Sequence, residues 1–282
     1  MKMFKDVNKI IRRLSKREQV INYKYREYLS ELELVYSYDK VGVFPVFDVF
    51  VNNCRNPFGF EYGSNSNHYF IRQLFEFESE VAYEQSYLNK FYQLWQPRTV
   101  GDVFGLSHQS MSKYLNKELV DGFILPWQCD PSILKSAAGW QYSGPVSYSM
   151  GVEHFNRLNR VYASIVKYGY RPEENINNSD MHIKGYFLKR RDDFRFLVVN
   201  GTHRMAVLSF LCMNKNYSDR IPVTFRINNP RVIDVANVSE WPQVRYGNIS
   251  STDASFIFDK IFDGNHIDIW GSYEEEMGGC KA

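Results

Sequence analysis

Apolar positions in the second half of the chain follow two different periods. Residues 152–169, "VEHFNRLNRVYASIVKYG", place apolar side chains three and four positions apart, which predicts an amphipathic helix. The runs "IKGYFLKR" (183–190) and "FRFLVV" (194–199) are short, apolar and flanked by polar residues, which predicts two strands. A helix over 203–214 and a strand over 221–227 follow. Short strands interleaved with helices predict a mixed α/β fold of the α+β kind.

Helical spacing dominates the first half of the chain. Residues 5–38 predict one or two helices, and residues 67–95 predict a helical pair that ends before Pro97. Residues 41–51 predict a strand or two short strands. Near the C-terminus, the run 250–264 predicts a further amphipathic helix.

A stretch rich in turn residues and aromatic side chains, residues 126–151, separates the two halves. We place a boundary within it and predict a helix-rich N-terminal region over 1–140, an α/β domain over 141–270 and a frayed tail over 271–282. The pattern leaves open whether the first region is a separate domain or wraps around the second.

The composition is that of a folded globular protein. The chain has 282 residues, of which 44% are hydrophobic and 16% aromatic, enough for one large domain or two ordinary ones. The formal net charge of +2 is close to neutral, so no chain-wide field draws the protein onto a polyanion, and a nucleic-acid partner would need a local basic patch. The four cysteines are scattered without metal-ligand or redox spacing, which indicates reduced thiols.

The sequence also carries information about location. No apolar run approaches the roughly 18 to 20 residues needed to cross a bilayer. The N-terminal segment lacks the uninterrupted apolar core that a signal peptide requires. We therefore expect a cytoplasmic protein without a membrane span.

Residues 99–117 match the packing pattern of a helix-turn-helix motif. Gly105 stands at the turn, Ser107 at the cap position and Met111 six residues after the glycine. The candidate recognition helix offers as polar side chains His108, Gln109, Lys113 and Lys117. Because it carries no arginine for a bidentate contact to guanine, DNA binding through 99–117 is kept as an alternative hypothesis.

The turn Asn200-Gly201-Thr202-His203-Arg204 connects the second predicted strand to the helix that follows. A helix that begins at Thr202 directs its free N–H groups and the positive end of its dipole into this turn. A cation there opposes the dipole by about 0.3 to 1 kcal/mol unless it shares an anion with the free amides. Phosphate fits this description, because Gly201 permits a close backbone approach and Arg204 can hold two oxygens at once.

The same two side chains also have a purely structural explanation. His203 and Arg204 can bond nearby carbonyls or carboxylates, for which Asp192 and Asp193 are the candidates. The residues alone leave both explanations open.

The order "LNRVYASIVKYGYRP … FRFLVVNGTHRMAVLSFL … IPVTF" resembles the nucleotide-binding core of the ParB/sulfiredoxin-like superfamily, over roughly residues 150–227. That core contains a helix, a hairpin strand, a turn that opens a second helix and a strand that begins Ile-Pro-Val. The superfamily includes partition proteins that bind CTP, sulfiredoxins that use ATP and free-serine kinases. The resemblance implies a nucleotide phosphate at the turn.

The branches of this superfamily differ within the turn itself. Thr202 stands where sulfiredoxins need a cysteine, which excludes their chemistry. Partition proteins carry Gly-Glu-Arg-Arg followed by a helix-turn-helix, whereas the candidate here, 99–117, lies upstream. The kinase-type turn, Asp-Gly-His-x-Arg, is the most similar, with Asn200 in place of the acidic residue. Asparagine can ligate a metal through its carbonyl oxygen but cannot act as a base.

The kinase-type resemblance implies a set of binding residues. ATP, or another nucleoside triphosphate, would bind residues 200–204 together with Lys184, with Lys189 as a further phosphate contact. Mg²⁺ would be held by Glu153 and Asn200.

The resemblance also implies catalytic roles. His203 and Arg204 would stabilise the transferred phosphoryl group, and Glu153 would act as the base, with His154 as a second candidate. The N-terminal region would cover the pocket and select the acceptor. The pattern "GPVS … GY … WPQVRYG" is similar to proteins from surface-polysaccharide gene clusters, which would make a sugar precursor the acceptor.

Three functions follow as expectations. The first is a nucleotide-dependent phosphotransferase, a kinase that acts on a small hydroxylated metabolite or sugar precursor, with surface-polysaccharide synthesis as its setting. The second is a nucleotide-gated DNA-binding or scaffold protein that uses 99–117. The third is a non-catalytic sensor of a nucleotide or phosphosugar, which the asparagine at position 200 keeps open.

Overall fold

A mixed β-sheet lies at the centre of the computed structural model. The structure describes residues 28–29, 46–63, 66–77, 81–106, 112–119, 123–129, 139, 141–172, 182–214, 217–226 and 230–265. Within these residues the strands are β1 (Tyr28–Leu29), β2 (Val46–Phe50), β3 (Cys54–Arg55), β4 (Ile183–Arg190), β5 (Asp193–Asn200), β6 (Arg220–Phe225) and β7 (Val232–Asp234). Their order in the sheet is β1-β2-β6-β4-β5-β3, and β7 pairs with β4 outside this path.

The antiparallel hairpin of β4 and β5 organises the sheet. Lys184 pairs with Asn200 at one end of the hairpin, and Arg190 pairs with Asp193 at the other. On the side of β4 that faces away from β5, two strands pair with it. Strand β6 runs parallel to residues 183–185, and β7 runs parallel to residues 187–189. The centres of both hairpin strands are buried, which accounts for their nearly continuous apolar runs.

The helices surround this sheet. Their bounds are α1 (Tyr69–Phe75), α2 (Tyr87–Leu94), α3 (Val100–Phe104), α4 (Tyr148–Tyr168), α5 (Thr202–Asn214), α6 (Pro242–Arg245) and α7 (Ser251–Asp263), and 3-10 turns cover Val51–Asn53, Tyr83–Gln85 and Val235–Glu240. In α4 the Ser147 hydroxyl accepts a hydrogen bond from the N–H of Met150 at 3.3 Å, and Gly169 ends the helix with φ 77°. No described helix combines the length and apolar character needed to cross a membrane.

Helix α5 lies inside the core. Residues 205–211 are all buried, so the helix is apolar around nearly its whole circumference. On the sheet, Phe47 packs against Phe187, Phe196 and Phe225 with ring centroids 5.1 to 5.7 Å apart. Such aromatic contacts contribute beyond the area they bury.

The predicted elements of the second half are confirmed, including β4 with unchanged bounds and the helix at 251–263. The helical pair of the first half appears as α1 and α2, and the predicted strand appears as β2. The helical prediction over 5–38 lies mostly outside the described residues. Where the structure describes it, at Tyr28–Leu29, the prediction is wrong, because these residues form a parallel strand against Val46 and Phe47. Pairing with a sheet edge outweighs local helical spacing there.

The two halves of the chain share one sheet and one core. Strands β2 and β3 come from the first half, and they pair with β6 and β5 from the second. One continuous hydrophobic cluster includes residues from both sides of position 140. The described residues of the two halves therefore contribute to one sheet and one hydrophobic cluster.

The helix-turn-helix candidate is only partly described. Helix α3 ends at Gly105, which has φ 71°, and residues 107–111 lie outside the described part. Residues 113–116 form turns, and the side chains of Tyr114 and Leu115 are buried. Residues 112–117, the described end of the motif, therefore do not form a recognition helix.

Candidate functional site

A cavity of about 550 Å³ opens where α5 begins. Its walls are one face of α4, the segment that follows α4 and the turn between β5 and α5. The charged side chains in the lining are Arg157, Arg160, Arg171 and Arg204. No aspartate or glutamate occurs among the described lining residues. The volume is in the range typical of small-molecule sites.

The turn between β5 and α5 requires a glycine at position 201. Gly201 has φ 95°, a region that side-chain-bearing residues rarely adopt. A Cβ atom at this position would lie 3.0 Å from Cγ1 of Ile183 and 3.2 Å from Nη2 of Arg204. The Arg204 guanidinium therefore lies directly against the turn. The carbonyl of Gly201 accepts the N–H of Met205 at 2.9 Å, and the amides before Met205 precede the first intrahelical hydrogen bond that we observe.

Helix α4 supplies the opposite wall. His154, Arg157, Arg160 and Ser164 lie three or four residues apart, so they share one face of the helix, and all of them line the cavity. Arg157 and Arg160 are exposed to solvent. Neither forms a salt bridge within the part of the chain that the structure describes.

Two stacked histidines lie behind the arginines. The His203 side chain is only 7% exposed, and its ring stacks on Phe70 at 4.3 Å and on His154 at 5.3 Å. Nε2 of His203 and both ring nitrogens of His154 are buried and have no hydrogen-bond partner among the described residues.

Both imidazoles are uncharged at neutral pH. The pKa of His154 is lowered to about 4, mainly by burial; the charge of Glu153 opposes this shift and the guanidinium of Arg157 adds to it. Burial also lowers the pKa of His203 well below its ordinary value, with further contributions from His154 and Arg157. The positive charge of the cavity therefore resides on guanidinium groups, and His203 does not oppose the α5 dipole as a cation would.

More positive charge lies beside the turn. Lys184 is half-buried on β4, between Asn200 of β5 and Thr224 of β6. Burial lowers its pKa, and so do the nearby charges of Arg204 and Arg226. Lys184 does not line the cavity, but its charge lies close to that of Arg204.

A group of buried phenols lies behind Thr202. The Thr202 side chain is buried near Tyr62 and Tyr142, whose buried hydroxyls form no hydrogen bond among the described residues. Burial raises the pKa of both tyrosines, so they stay protonated and can donate hydrogen bonds. Thr202 thus joins the cavity to a polar cluster in the core.

The structure brings most of the predicted site residues together. Residues 200–204 all line the cavity, together with His154. Glu153 does not line it and is exposed, although its negative charge raises the pKa of His154. Lys189 lies further along β4 and contacts Asp234 at 2.6 Å, so it is not positioned to bind a phosphate in this cavity.

The acidic partners considered for His203 and Arg204 lie elsewhere. Asp193 begins β5 and Asn200 ends it, so at about 3.3 Å per residue the two are roughly 23 Å apart. Asp193 bonds Arg195 at 2.6 Å instead. Hydrogen bonds to Asp192 or Asp193 therefore do not explain why His203 and Arg204 stand at this turn.

The sequence-based interpretation missed Arg157, Arg160 and Arg171. A readable signal existed for the first two, because polar residues recur at positions 154, 157, 160 and 164 while Leu158 and Tyr162 mark the buried face. Arg171 lies in the segment after α4 and has no such periodicity.

The described lining does not fit a Mg²⁺ ion. Magnesium prefers hard oxygen ligands in octahedral geometry, usually one or two carboxylates with water and substrate phosphates. Besides the amide oxygens of Gln141 and Asn200, the polar groups of the described lining are mainly guanidinium groups, hydroxyls and imidazoles. No group of three or more His, Cys, Asp or Glu residues within the described residues could hold a metal ion.

Comparison with known proteins returns no relatives. The chain has no match among protein-family models, curated proteins or solved structures. The functional argument therefore rests on the geometry and charge of the cavity.

Proposed function

We propose that this protein binds a nucleoside triphosphate by its phosphates in the arginine-lined cavity and transfers a phosphoryl group to a small hydroxylated metabolite. The observation that supports the proposal is the convergence of four arginines on the N-terminus of α5, with no carboxylate among the described lining residues. Walls of one charge sign concentrate the opposite charge between them.

Phosphate matches this cavity in geometry as well as in charge. A guanidinium can give two parallel hydrogen bonds to phosphate oxygens, and a helix N-terminus adds free N–H groups and the positive end of the dipole. Arg204 and the amides of α5 lie on one wall, and Arg157 and Arg160 lie on the other. A chain of phosphates would thus be held from both sides. The resemblance to the ParB/sulfiredoxin-like core supports the same location.

The transfer step would depend mainly on electrostatic stabilisation. In phosphoryl transfer the protein positions the group and neutralises the charge on its oxygens, which is the role we propose for Arg157, Arg160 and Arg204. The uncharged His154 imidazole is our candidate acceptor for the proton of the attacking hydroxyl. Its nitrogens are covered, so the ring must rotate to reach the acceptor. Glu153 would act through His154, as a positioning residue.

Binding without chemistry is the second candidate function. The absence of a carboxylate among the described lining residues is the observation that favours it, because kinases commonly use an acidic base. The same cavity would then sense a nucleotide or a phosphosugar.

Calorimetry tests the binding proposal. ATP, CTP and GTP are titrated into the intact protein and into the Arg204→Ala and Arg157→Ala variants. Arg245→Ala, an exposed position on α6 outside the cavity, is the control. We expect each cavity variant to bind at least about tenfold more weakly, since a charge-assisted hydrogen bond contributes roughly 1.5 to 3 kcal/mol. If no nucleotide binds the intact protein, the proposal is wrong.

A turnover assay separates the two candidate functions. The protein is incubated with labelled ATP and a panel of sugars and small alcohols, and the label on each acceptor is measured. Transfer that is lost in His154→Gln while ATP still binds supports the kinase. Binding without transfer or hydrolysis for any acceptor supports the sensor.

A further inference from the structure

We propose that His203 carries the phosphoryl group from donor to acceptor as a covalent phosphohistidine, so that the transfer takes place in two displacements. This inference rests on the proposed function and concerns the path of the transferred group. It is carried by the place of the His203 ring, which belongs to the first turn of α5, lines the cavity and is only 7% exposed. His203 thereby has a covalent role in addition to the stabilising role that the sequence resemblance implies.

Stacking holds the His203 ring in place. Its plane lies 28° from that of Phe70, with centroids 4.3 Å apart, and 23° from that of His154, with centroids 5.3 Å apart. Nε2 of His203 is buried and has no hydrogen-bond partner among the described residues. A buried polar atom without a partner is rare in native proteins and calls for an explanation. A chemical role for the ring supplies one.

The ring also lies where a bound phosphoryl group would be held. The amides at the start of α5 precede the first intrahelical hydrogen bond that we observe, and their residues line the cavity. Burial and His154 lower the pKa of His203 most, and the guanidinium of Arg157 lowers it further, which places that charge near the ring. A phosphoryl group bound between the α5 amides and Arg157 therefore has the His203 ring beside it.

The imidazole of His203 is the nucleophile that the lining prepares best. Because it is uncharged at neutral pH, one ring nitrogen keeps a lone pair for bond formation, and histidine is among the residues that form covalent intermediates. The hydroxyls of Ser164 and Thr202 also line the cavity, but a hydroxyl keeps its proton at neutral pH and needs a base before it attacks.

The first displacement transfers the group to the protein. The lone pair of a His203 ring nitrogen forms a bond to the γ-phosphorus of the nucleoside triphosphate. The bond between this phosphorus and the oxygen that bridges it to the β-phosphate breaks, and the nucleoside diphosphate leaves with that electron pair. The proton on the other ring nitrogen stays in place. Arg157 and the α5 amides stabilise the negative charge on the transferred oxygens.

The second displacement transfers the group to the acceptor. The hydroxyl oxygen of the acceptor attacks the same phosphorus, the N–P bond breaks, and its electron pair returns to the His203 ring. The hydroxyl proton passes to His154, the role already proposed for that residue, and then to water. The two histidines thus have separate tasks, because His203 forms the bond and His154 accepts the proton.

The size of the cavity favours this order of events. A volume of about 550 Å³ is within the range of sites that hold one drug-sized ligand. Once the phosphoryl group is on His203, the nucleoside diphosphate can leave before the acceptor enters. Donor and acceptor then use the same space in turn, which gives ping-pong kinetics.

Rapid-quench labelling of the full chain tests the inference. The protein is mixed with ATP labelled at its γ-phosphate, without an acceptor, and quenched within the first turnover. We expect label on the protein that is lost in acid and retained in base, as an N–P bond behaves, whereas phosphoserine and phosphothreonine are stable in acid. Peptide mass spectrometry under alkaline conditions then locates the group on the wild-type protein, with His203 as the expected position.

Variants of the two stacked histidines should behave in opposite ways. His154→Gln should accumulate the phosphoenzyme, because no base assists its discharge, whereas His203→Gln should lose the label while calorimetry still shows ATP binding. Exchange of label between ADP and ATP without an acceptor should persist in the first variant and disappear in the second. Arg245→Gln, outside the cavity, should behave as the wild type. Circular dichroism verifies folding, and if His203→Gln does not fold, the position of the label on the wild type decides.

The outcomes separate the inference from the proposed function. ATP binding without an acid-labile phosphoenzyme and without exchange, in the wild type and in His154→Gln, overturns the inference and leaves nucleotide binding intact. A phosphoryl group located on another residue also overturns the inference. If ATP does not bind the wild type, both the inference and the proposed function are wrong.

Discussion

The imidazole rings of His154 and His203 lie 5.3 Å apart with an angle of 23° between their planes. One ring belongs to α4 and the other to α5, so the contact joins the two walls of the cavity. Since both rings are buried in their uncharged form, protonation of either imidazole would disfavour the contact. It connects the stability of the site to pH.

Stability should fall as the pH drops from about 6.5 towards 4. Burial lowers the pKa of His154 to about 4 and that of His68, a buried residue at the start of α1, to about 3, while both are near 6.5 in the unfolded chain. In this window the unfolded chain takes up protons that the folded protein does not, so the free energy of unfolding decreases with falling pH. Denaturant titrations across the window measure the effect.

The His154→Gln variant provides the comparison for this pH effect. It should lose less stability across the same window, because one of the buried histidines no longer titrates. A variant curve that runs parallel to that of the wild type would contradict the assignment of His154 as a buried, uncharged group.

The Gly201→Ala variant should lose both stability and ligand binding. The added Cβ would meet Ile183 at 3.0 Å on a backbone with φ 95°, which costs about 1 to 3 kcal/mol. It would also displace the Arg204 guanidinium. Chemical denaturation and ATP calorimetry measure the two effects.

Gly105→Ala is the matched control for this glycine. Gly105 also has a positive φ, 71°, but a Cβ there meets nothing within 4 Å. The control should show backbone strain alone and bind ATP normally. Equal loss of binding in both variants would mean that the turn is not the ligand site.

Tyr186→Phe should destabilise the core by about 1 to 3 kcal/mol, because a buried donor loses its acceptor. The Trp127 indole N–H donates to the Tyr186 hydroxyl at 2.9 Å, and both side chains are buried. Tyr246→Phe, at a position that is 68% exposed, should change stability by less than about 0.5 kcal/mol. Thermal unfolding of the two variants in parallel gives the difference, and similar values for both would refute the contact.

Nucleotide affinity should decrease with ionic strength, because exposed arginines are screened by salt. The Arg160→Gln variant should show a shallower dependence than the wild type, since it carries one less charge in the cavity. Titrations of ATP at several salt concentrations measure the slopes. An unchanged slope in Arg160→Gln would remove that arginine from the site.

The elements with strong local periodicity could be predicted from the sequence, and those that depend on distant pairing could not. Strand β4 and helix α5 each bury a long apolar run, and the pattern shows both. Strand β3 has two residues in a stretch that resembles a polar loop, and its register comes from Phe196 and Leu197 on β5. Short strands of this kind exist because a partner is present.

The site was predictable in part for the same reason. The turn at 200–204 can be recognised in the sequence, because a glycine and two basic residues stand between a predicted strand and a predicted helix. The arginines at positions 157 and 160 become part of the site only because α4 directs that face towards the start of α5, a fact of tertiary packing. The charge state of His203 likewise depends on burial against Phe70, which no local pattern contains.

The ring of Phe70 lies against His203, although more than a hundred residues of chain separate them. Together with the pairing of β3 and β5, this makes the first half of the protein a structural component of the cavity. A fragment limited to residues 141–270 would lack Phe70, which supports His203 in the cavity wall. It would also lack β3, so the edge of β5 would be exposed. Anyone who transplants the β5–α5 turn into another scaffold would therefore have to supply an aromatic platform in the place of Phe70.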